Sequence, residues 1–328
     1  MMISVIITAY NRSDYLKDAL RSILNQTLDV DKFETILIKN FPDPFADALS
    51  IENKITVIAG GNDSIGSYIS KALSIARGEV ISFLDDDDAF DRDKLLHVYS
   101  SFQSNPKLVY CRNELSIIDA EGKTILESKM PHNDDNNQII LYNSNEALKK
   151  AGRHLRWNTS CISVRKLIFD GHEEYLPSMF AGQDLTIFYL AASKNGQMAY
   201  DPHRLTLYRL HSNSVTRKIG QNNDFFREWS SLNGMKYLFQ QNPIKTDFDK
   251  TLSELKIYSV FYGSNIEIRD IKTLLSPYLK TRNIKRSDFK IIILLAIISS
   301  LFLLLPKSSF KMIRKIFSTF THRKVLLN

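Results

Sequence analysis

Residues 80–90, VISFLDDDDAF, drive five apolar or small residues straight into four consecutive aspartates, Asp85 to Asp88. Adjacent carboxylates repel one another, so such a stretch calls for a cation. Carboxylates in a row at a strand end supply hard oxygen ligands for Mg2+ or Mn2+, and these ions are commonly shared between one or two side chains and phosphate oxygens. A diphosphate is the natural partner of that arrangement. The alternative is an acidic helix start, because DAFDRDKLLHVYSSF follows directly and carboxylates favour a helix N-terminus. Capping uses one or two residues and leaves the rest of the cluster unexplained, while Asp88, Asp91 and Asp93 also read as helix-start residues.

The elements that must position these residues alternate along the chain. ISVIITA reads as a strand, and SDYLKDALRSILNQ shows apolar residues at helical spacing behind Ser13, a candidate N-cap. FETILIK and KITVIA are further strands, IGSYISKALSIA is a helix, and EVISFL is a fourth strand that ends at the aspartates. Strands separated by helices predict a mostly parallel α/β sheet with helices on its faces. Ligands of such sheets gather at the carboxyl ends of the strands, which is where Asp85 to Asp88 fall.

Composition sets bounds on partner and compartment. With 328 residues, 44% of them hydrophobic and 24% charged, the chain is an ordinary folded protein. Two cysteines, Cys111 and Cys161, have no CxxC around either, so neither a disulfide framework nor a zinc site is expected. The start, MMISVIITAYNR, lacks a basic n-region and reads as a buried strand, without a secretory signal. The net charge of +7 is local: residues 269–328 hold 13 of the 43 Lys and Arg but 2 of the 36 Asp and Glu. The body is therefore slightly acidic, which argues against nucleic acid as a partner.

Inside the basic tail lies IIILLAIISSLFLLL, residues 291–305, flanked on both sides by lysines and arginines. Fifteen residues at about 1.5 Å each fall short of a hydrocarbon core of about 30 Å. A monotopic or shallowly inserted helix at an anionic membrane surface is expected, followed by the amphipathic FKMIRKIFSTF. A buried core helix is the plainer alternative.

Four stretches together carry a resemblance: SVIITAYNRSDYLKDALRSILNQT, GEVISFLDDDDAFDRDKLLHVYSSFQSNPKLVY, GQDLTIFYLAA and LYRLHSNSVT. In order and approximate spacing, over roughly residues 2–216, the chain resembles family-2 glycosyltransferases of the GT-A fold. That resemblance implies a Rossmann-like, mostly parallel sheet with flanking helices in residues 1–220. A helical extension in 221–288 and the membrane-associating helices of 289–328 complete the expected organisation.

The resemblance also implies site residues. Thr8, Ala9 and Tyr10 fall at the nucleotide base, with Asn40 at the end of the second strand. Asp85 and Asp86 lie toward the ribose, and Asp87 is a ligand of Mn2+ or Mg2+ on the diphosphate. His211 matches a histidine that approaches the metal or diphosphate, and a neutral imidazole is a reasonable ligand. Asp184 is the general base, with Gln183 in place of the family's glutamate at the acceptor side. Trp157 and Asn158 are acceptor-sugar contacts, with packed core as the alternative for the tryptophan. Arg209 neutralises a phosphate or stabilises a strand end.

Departures from the family pattern concentrate near the base. Lys39 and Asn40 stand where acids are common, and Tyr68 to Ser70 replace an Ala-Arg-Asn stretch, with Lys71 as a candidate substitute for its arginine. Asn40 can still accept from the N–H of a uracil or thymine, which points to a UDP- or dTDP-linked sugar. The acceptor implied is a glycan or a lipid-linked sugar at the cytoplasmic membrane face. The expected reaction is inverting transfer, with a base on the acceptor hydroxyl and an electrophile on the departing diphosphate. A sugar-nucleotide nucleotidyltransferase and a non-catalytic nucleotide-sugar-binding adaptor are the alternatives. The first would show a Gly-rich loop after strand one, and TAYNRSDY has no glycine. Asn158-Thr159-Ser160 has the form of a glycosylation acceptor, discounted for want of a secretory signal.

Overall fold

The computed structural model describes residues 1–127, 138–150, 155–211, 224–240 and 244–262. The chain divides into two units, one of Met1–Arg217 with Tyr237–Phe239 and one of the remaining residues from Lys218 onward. The first unit opens with parallel strands β1 (Ile3–Ala9), β2 (Phe33–Lys39), β3 (Thr56–Ala59) and β4 (Val80–Asp85). Helices α1 (Leu16–Leu24), α2 (Pro44–Glu52) and α3 (Ile65–Ile75) connect them. There follow β5 (Ala89–Phe90), α4 (Lys94–Ser104), β6 (Leu108–Ile118), β7 (Thr124–Glu127), β8 (Ile140–Asn143), α5 (Ser144–Lys150), β9 (Ile162–Arg165), α6 (Gln183–Ser193) and β10 (Gln197–Arg209). In the second unit the described helices are α7 (Asp224–Gly234) and α8 (Ile244–Tyr262).

The described strands form one sheet, ordered β3-β2-β1-β4-β9-β6-β10-β5, with β7 on β6 and β8 on β10. β1 to β4 and the β6/β10 pair are parallel, while β9 runs antiparallel between β4 and β6. The expected sheet with flanking helices is therefore present, with short antiparallel strands added after β4. β1 is buried almost throughout, as its apolar run requires of a central parallel strand. α1 buries Leu16, Ala19, Leu20 and Ile23 at helical spacing in the core cluster that includes Val5 and Ile7. Each such aliphatic side chain contributes about 1.5–3 kcal/mol of burial free energy.

Three local readings change. Ser13 does not cap α1 with its side chain; its carbonyl accepts the Leu16 N–H in a preceding turn, and the helix starts after Tyr15. The helix after the aspartates starts at Lys94, because Ala89 and Phe90 first pair with β10 as β5. α2 lies between β2 and β3, opened by Asp43, whose carboxylate accepts the Ala46 N–H, and by Pro44 in the first turn. Among the described residues no helix is long and apolar enough to cross a membrane. Residues 291–305, the amphipathic segment after them and Ser212 to Thr216 lie outside the described residues.

Lys94 is the unexpected core residue. Its ammonium is fully buried over the Phe90 ring and donates to Asn113 Oδ1 (2.8 Å), the Ser160 carbonyl (2.5 Å) and Thr206 Oγ1 (3.1 Å). These contacts tie the start of α4 to β6, β10 and the segment before β9. Burial pushes this lysine down to about 8, and the charge of Arg112 acts in the same direction. Between pH 8 and 10.5 the unfolded chain then binds the proton that the folded chain has lost, so stability gains from Lys94 as pH rises through that window. Lys94→Met is expected to cost about 1–3 kcal/mol near neutral pH, through three acceptors left short of a donor. Urea unfolding at pH 7.5 and 10 checks both effects: the gap between variant and native chain widens at the higher pH.

Candidate active site

The site forms where β1, β2 and β4 end side by side. Thr8 is the register partner of Asp85, and Lys39 pairs with Ala9. Beyond β4 the chain makes a tight turn, with the Asp88 N–H donating to the Asp85 carbonyl at 3.2 Å. Four carboxylates are packed into this turn, and each meets different surroundings.

Asp88 is fully buried. Its carboxylate accepts from Ser160 Oγ (2.7 Å), the Arg209 N–H (3.0 Å) and Asn158 Nδ2 (3.4 Å). It is a clasp between the turn, β10 and the segment before β9, not a helix-start residue. Burial, then the charge of Asp87, raises Asp88 to about 7, against the pull of its three donors. Asp86, also buried, is held by the Arg12 guanidinium through both oxygens; burial raises it to about 6 and Arg12 opposes that rise. Asp85 lies well above the usual carboxylate range, first through burial and then through Asp88, Asp87, Asp86 and Asp184.

Asp87 is the carboxylate that faces other polar groups across the cleft. Its Oδ2 lies 3.0 Å from His211 Nε2 and 2.7 Å from Arg12 Nη2, while Arg12 Nη1 is 3.5 Å from the same imidazole nitrogen. His211 is buried and packs against the Tyr15 ring at 4.7 Å between centroids. The two expected metal ligands, 124 residues apart in sequence, are thus in contact. They supply one carboxylate and one imidazole donor beside carboxylates whose charge Arg12 only partly balances. This donor set fits a divalent ion that takes its remaining ligands from phosphate and water.

Arg12 was not singled out in the sequence, because it follows Tyr10 and Asn11 in an unremarkable loop. The β1/β4 adjacency makes it the cation in contact with Asp86 and Asp87. Arg209, by contrast, is a strand-end brace and not a free phosphate ligand. Its guanidinium donates to the carbonyls of Asp87 (2.9 Å), Asp119 (3.3 Å) and Ala120 (2.9 Å), pairs with Asp18 at 3.0 Å and lies over the Tyr15 ring.

The other side of the carboxylate turn is built by Asn158 and α6. Gly182, left-handed at φ 73°, turns the chain into α6, and Asp184 sits in its first turn. Asp184 accepts the N–H groups of Asn158 (3.2 Å) and Leu185 (2.9 Å), and burial raises it to about 6 against those donors. Asn158 is itself left-handed at φ 67°, with its side chain on Asp88 and its N–H on Asp184. Its Oδ1 is buried with no protein partner among the described residues. Trp157, 41% exposed, stands edge-on to Tyr208 at 5.2 Å. Gln183 opens α6 beside Asp184, and Ser160 is buried, so the Asn158-Thr159-Ser160 sequence is part of the site rather than a surface acceptor.

At the β1/β2 end, Asn40 and Asn11 exchange hydrogen bonds: Asn11 N–H to Asn40 Oδ1 and Asn40 Nδ2 to Asn11 Oδ1, both 2.8 Å. Tyr10 is exposed, with its ring 6.0 Å from that of Tyr68. Tyr68 is buried and donates to the Gly61 carbonyl. Lys39 turns away to Asp47 and the Phe41 carbonyl, and Lys71 pairs with Asp63 at the surface.

Removing Arg12 leaves buried carboxylates without their cation. Arg12→Met is expected to cost about 3 kcal/mol. The double variant with Asp86→Asn should recover most of that loss, read as a coupling energy from urea unfolding of the four proteins of the cycle.

Comparison with known proteins accords with this arrangement. Residues 4–168 match the family described as Glycosyl transferase family 2. EpsH of Bacillus subtilis (strain 168), which bears a glycosyltransferase name, is 25% identical over 297 residues, covering 86% of this chain and 81% of that protein. The poly(ribitol-phosphate) beta-glucosyltransferase of Bacillus spizizenii is 30% identical over 117 residues, 32% of this chain and 18% of that protein. Among solved structures, S. aureus TarS 1-349 superposes with a TM-score of 0.59 at 13% identity, over 84% of this chain and 81% of that one. The same protein in complex with UDP-GlcNAc gives 0.58 at 12% identity, over 85% and 80%. The fold is therefore GT-A-like, and the chain belongs to glycosyl transferase family 2 as a glycosyltransferase.

Proposed function

We propose that this glycosyltransferase is inverting and metal-dependent, and that it moves a sugar from a UDP-linked donor to a hydroxyl of a cell-surface polymer or its lipid-linked precursor. The observation that carries the reading is the pairing of Asp87 with His211 in the cluster that Asp184 also joins, one side suited to a diphosphate and the other to a hydroxyl. A UDP-sugar is supported by the likeness to TarS, whose structure holds UDP-GlcNAc. The acceptor class is supported by the relative named for poly(ribitol-phosphate) glucosylation.

In this reading Asp87 and His211 would hold the divalent ion, Mn2+ or Mg2+, which would supply charge stabilisation for the departing diphosphate. Arg12 lies close enough to share that anion. Thr8, Ala9, Tyr10 and Asn40 border the base, and Asp85 and Asp86 the ribose. Asp184, raised to about 6, is largely ionised at neutral pH yet basic enough to take a proton from a hydroxyl. Asn158 holds that carboxylate in place through its N–H. Trp157 presents a partly exposed ring face for a sugar. Attack by the activated hydroxyl on the face opposite the diphosphate inverts the anomeric centre. The nucleotidyltransferase alternative falls with the family match.

Asp184→Asn is expected to lower transfer by about 10²–10⁴-fold while the UDP-sugar still binds. The base must be ionised, so activity of the native enzyme rises with pH through about 6, and the variant loses that limb. Asp87→Ala should instead remove the dependence of donor affinity on Mn2+. Undiminished transfer in Asp184→Asn, or donor affinity indifferent to Mn2+ in the native chain, would overturn the mechanism.

We further propose association with the cytoplasmic face of an anionic membrane, peripheral or monotopic. The support is the apolar run 291–305 between basic clusters. Truncation after Asp288 is expected to abolish sedimentation with phosphatidylglycerol vesicles. Equal sedimentation of truncated and full-length chains would refute the anchor.

A further inference from the structure

β10 carries a second group of metal-binding side chains, separate from Asp87 and His211. Asp201 and His203 lie two residues apart on β10, and His97 comes from α4. One ligand atom from each lies within 4.8 Å of the other two. His203 Nδ1 is 2.5 Å from Asp201 Oδ1, and His97 Nδ1 is 3.5 Å from Asp201 Oδ2, so each imidazole faces its own carboxylate oxygen. The two rings face one another at 4.6 Å between centroids. Asp201 is buried, whereas the histidine side chains are 32% and 34% exposed, open to an ion from solvent.

The backbone is shaped to present this group. The β6/β10 register slips between Asp201 and Arg204, so Pro202 and His203 form a bulge opposite no β6 partner. Pro202 has no N–H to leave unpaired there, and the His203 N–H is taken by Asp201 Oδ1 at 3.0 Å. Six to eight residues of strand, at about 3.3 Å each, put the group roughly 20–26 Å along β10 from Arg209 and the aspartate turn.

We propose that His97, Asp201 and His203 form a three-ligand site for a borderline transition-metal ion, Zn2+ foremost. Two imidazoles and one carboxylate, with a fourth position left for water, form a tetrahedral zinc set. Mg2+ prefers an all-oxygen shell, so the donors separate this site chemically from the aspartate turn. Bonds of about 2.0–2.1 Å bring tetrahedral ligands to roughly 3.3 Å from one another. The group must therefore contract, and two partly exposed imidazoles can swing inward against a fixed carboxylate.

The ion would clamp α4 to β10. His97 sits one turn after Lys94, whose ammonium holds the Ser160 carbonyl, and the Ser160 hydroxyl holds Asp88 and the Asp85 N–H. The clamp thus stiffens the helix that anchors the aspartate turn, and it does not depend on the donor or acceptor proposed above.

The test uses full-length protein stripped with a chelator and titrated with Zn2+ by calorimetry and with Co2+ by visible absorption, both in excess Mg2+. One equivalent of Zn2+ with micromolar or tighter affinity, a tetrahedral Co2+ spectrum and a rise in Tm of about 5 °C at a hundredfold excess of Zn2+ over Kd are expected. The His97→Ala, His203→Ala double variant should lose at least 100-fold in Zn2+ affinity while keeping its Mg2+-supported transfer and its native Tm in chelator. Asp87→Ala should keep the Zn2+ site. No Zn2+ uptake by the native chain, undiminished affinity in the double histidine variant, or loss of the site in Asp87→Ala would each overturn the proposal.

Discussion

Four consecutive carboxylates at the end of β4 cannot share one environment without unfolding the turn that holds them. The structure gives each a different one. Asp88 is buried among three hydrogen-bond donors, Asp86 is bound by Arg12, and Asp87 is shared between Arg12 and His211. Asp85 has its N–H fixed by Ser160, and its carboxyl is displaced far above the usual range by burial and by its neighbours. The turn is therefore short of positive charge, and a divalent ion has a physical reason to settle there. Because Arg12, Ser160, Arg209 and His211 come from distant parts of the chain, the whole first unit must be assembled before that turn is held.

Ser160 and Asn158 join the two sides of the site. Ser160 accepts the Asp85 N–H, donates to Asp88 and, through its carbonyl, is anchored by Lys94. Asn158, two residues earlier, reaches Asp88 with its side chain and Asp184 with its backbone. A non-glycine residue at φ 67° costs of order 1–3 kcal/mol, and a strained residue persists where its surroundings over-determine it. Here the strain aims one residue's backbone at Asp184 and its amide at the carboxylate turn. Asp184 and the aspartate turn are thereby set at a fixed separation by a single segment before β9.

The fold was legible where burial dictates composition. β1, β2 and β4 are apolar runs, because central parallel strands are covered on both faces, and the aspartates mark the end of β4 without ambiguity. α2 announced itself through Asp43 and Pro44, a helix-start signal that the surrounding turn-like residues obscured. β9 and β5 were not legible, since four and two residues carry too little periodicity. In the site, Asp87 with His211 emerged from motif order. Arg12, Lys94 and Ser160 did not, because their roles exist only once β1 lies beside β4 and α4 packs on β10. A lysine at a helix start reads as a solvated residue, and only its three buried acceptors reveal otherwise. His97 and His203 are far apart in the chain, and their meeting depends on a bulge that leaves no mark except Pro202.

The departures near the base acquire a physical meaning in the same way. Lys39 could not have served as a base ligand, since its ammonium is drawn under β2 to Asp47 and the Phe41 carbonyl. Asn40 is spent in part on Asn11, and the reciprocal amide pair fixes the left-handed Asn11 that turns the chain toward Arg12. One lone pair of the Asn40 oxygen remains, a weaker acceptor than a carboxylate. Tyr10 presents an exposed ring, backed by the buried Tyr68. An amide pair, backbone and an aromatic face carry little charge of their own, so the charge of the site is concentrated at its other end, where Asp86 and Asp87 meet Arg12 and His211.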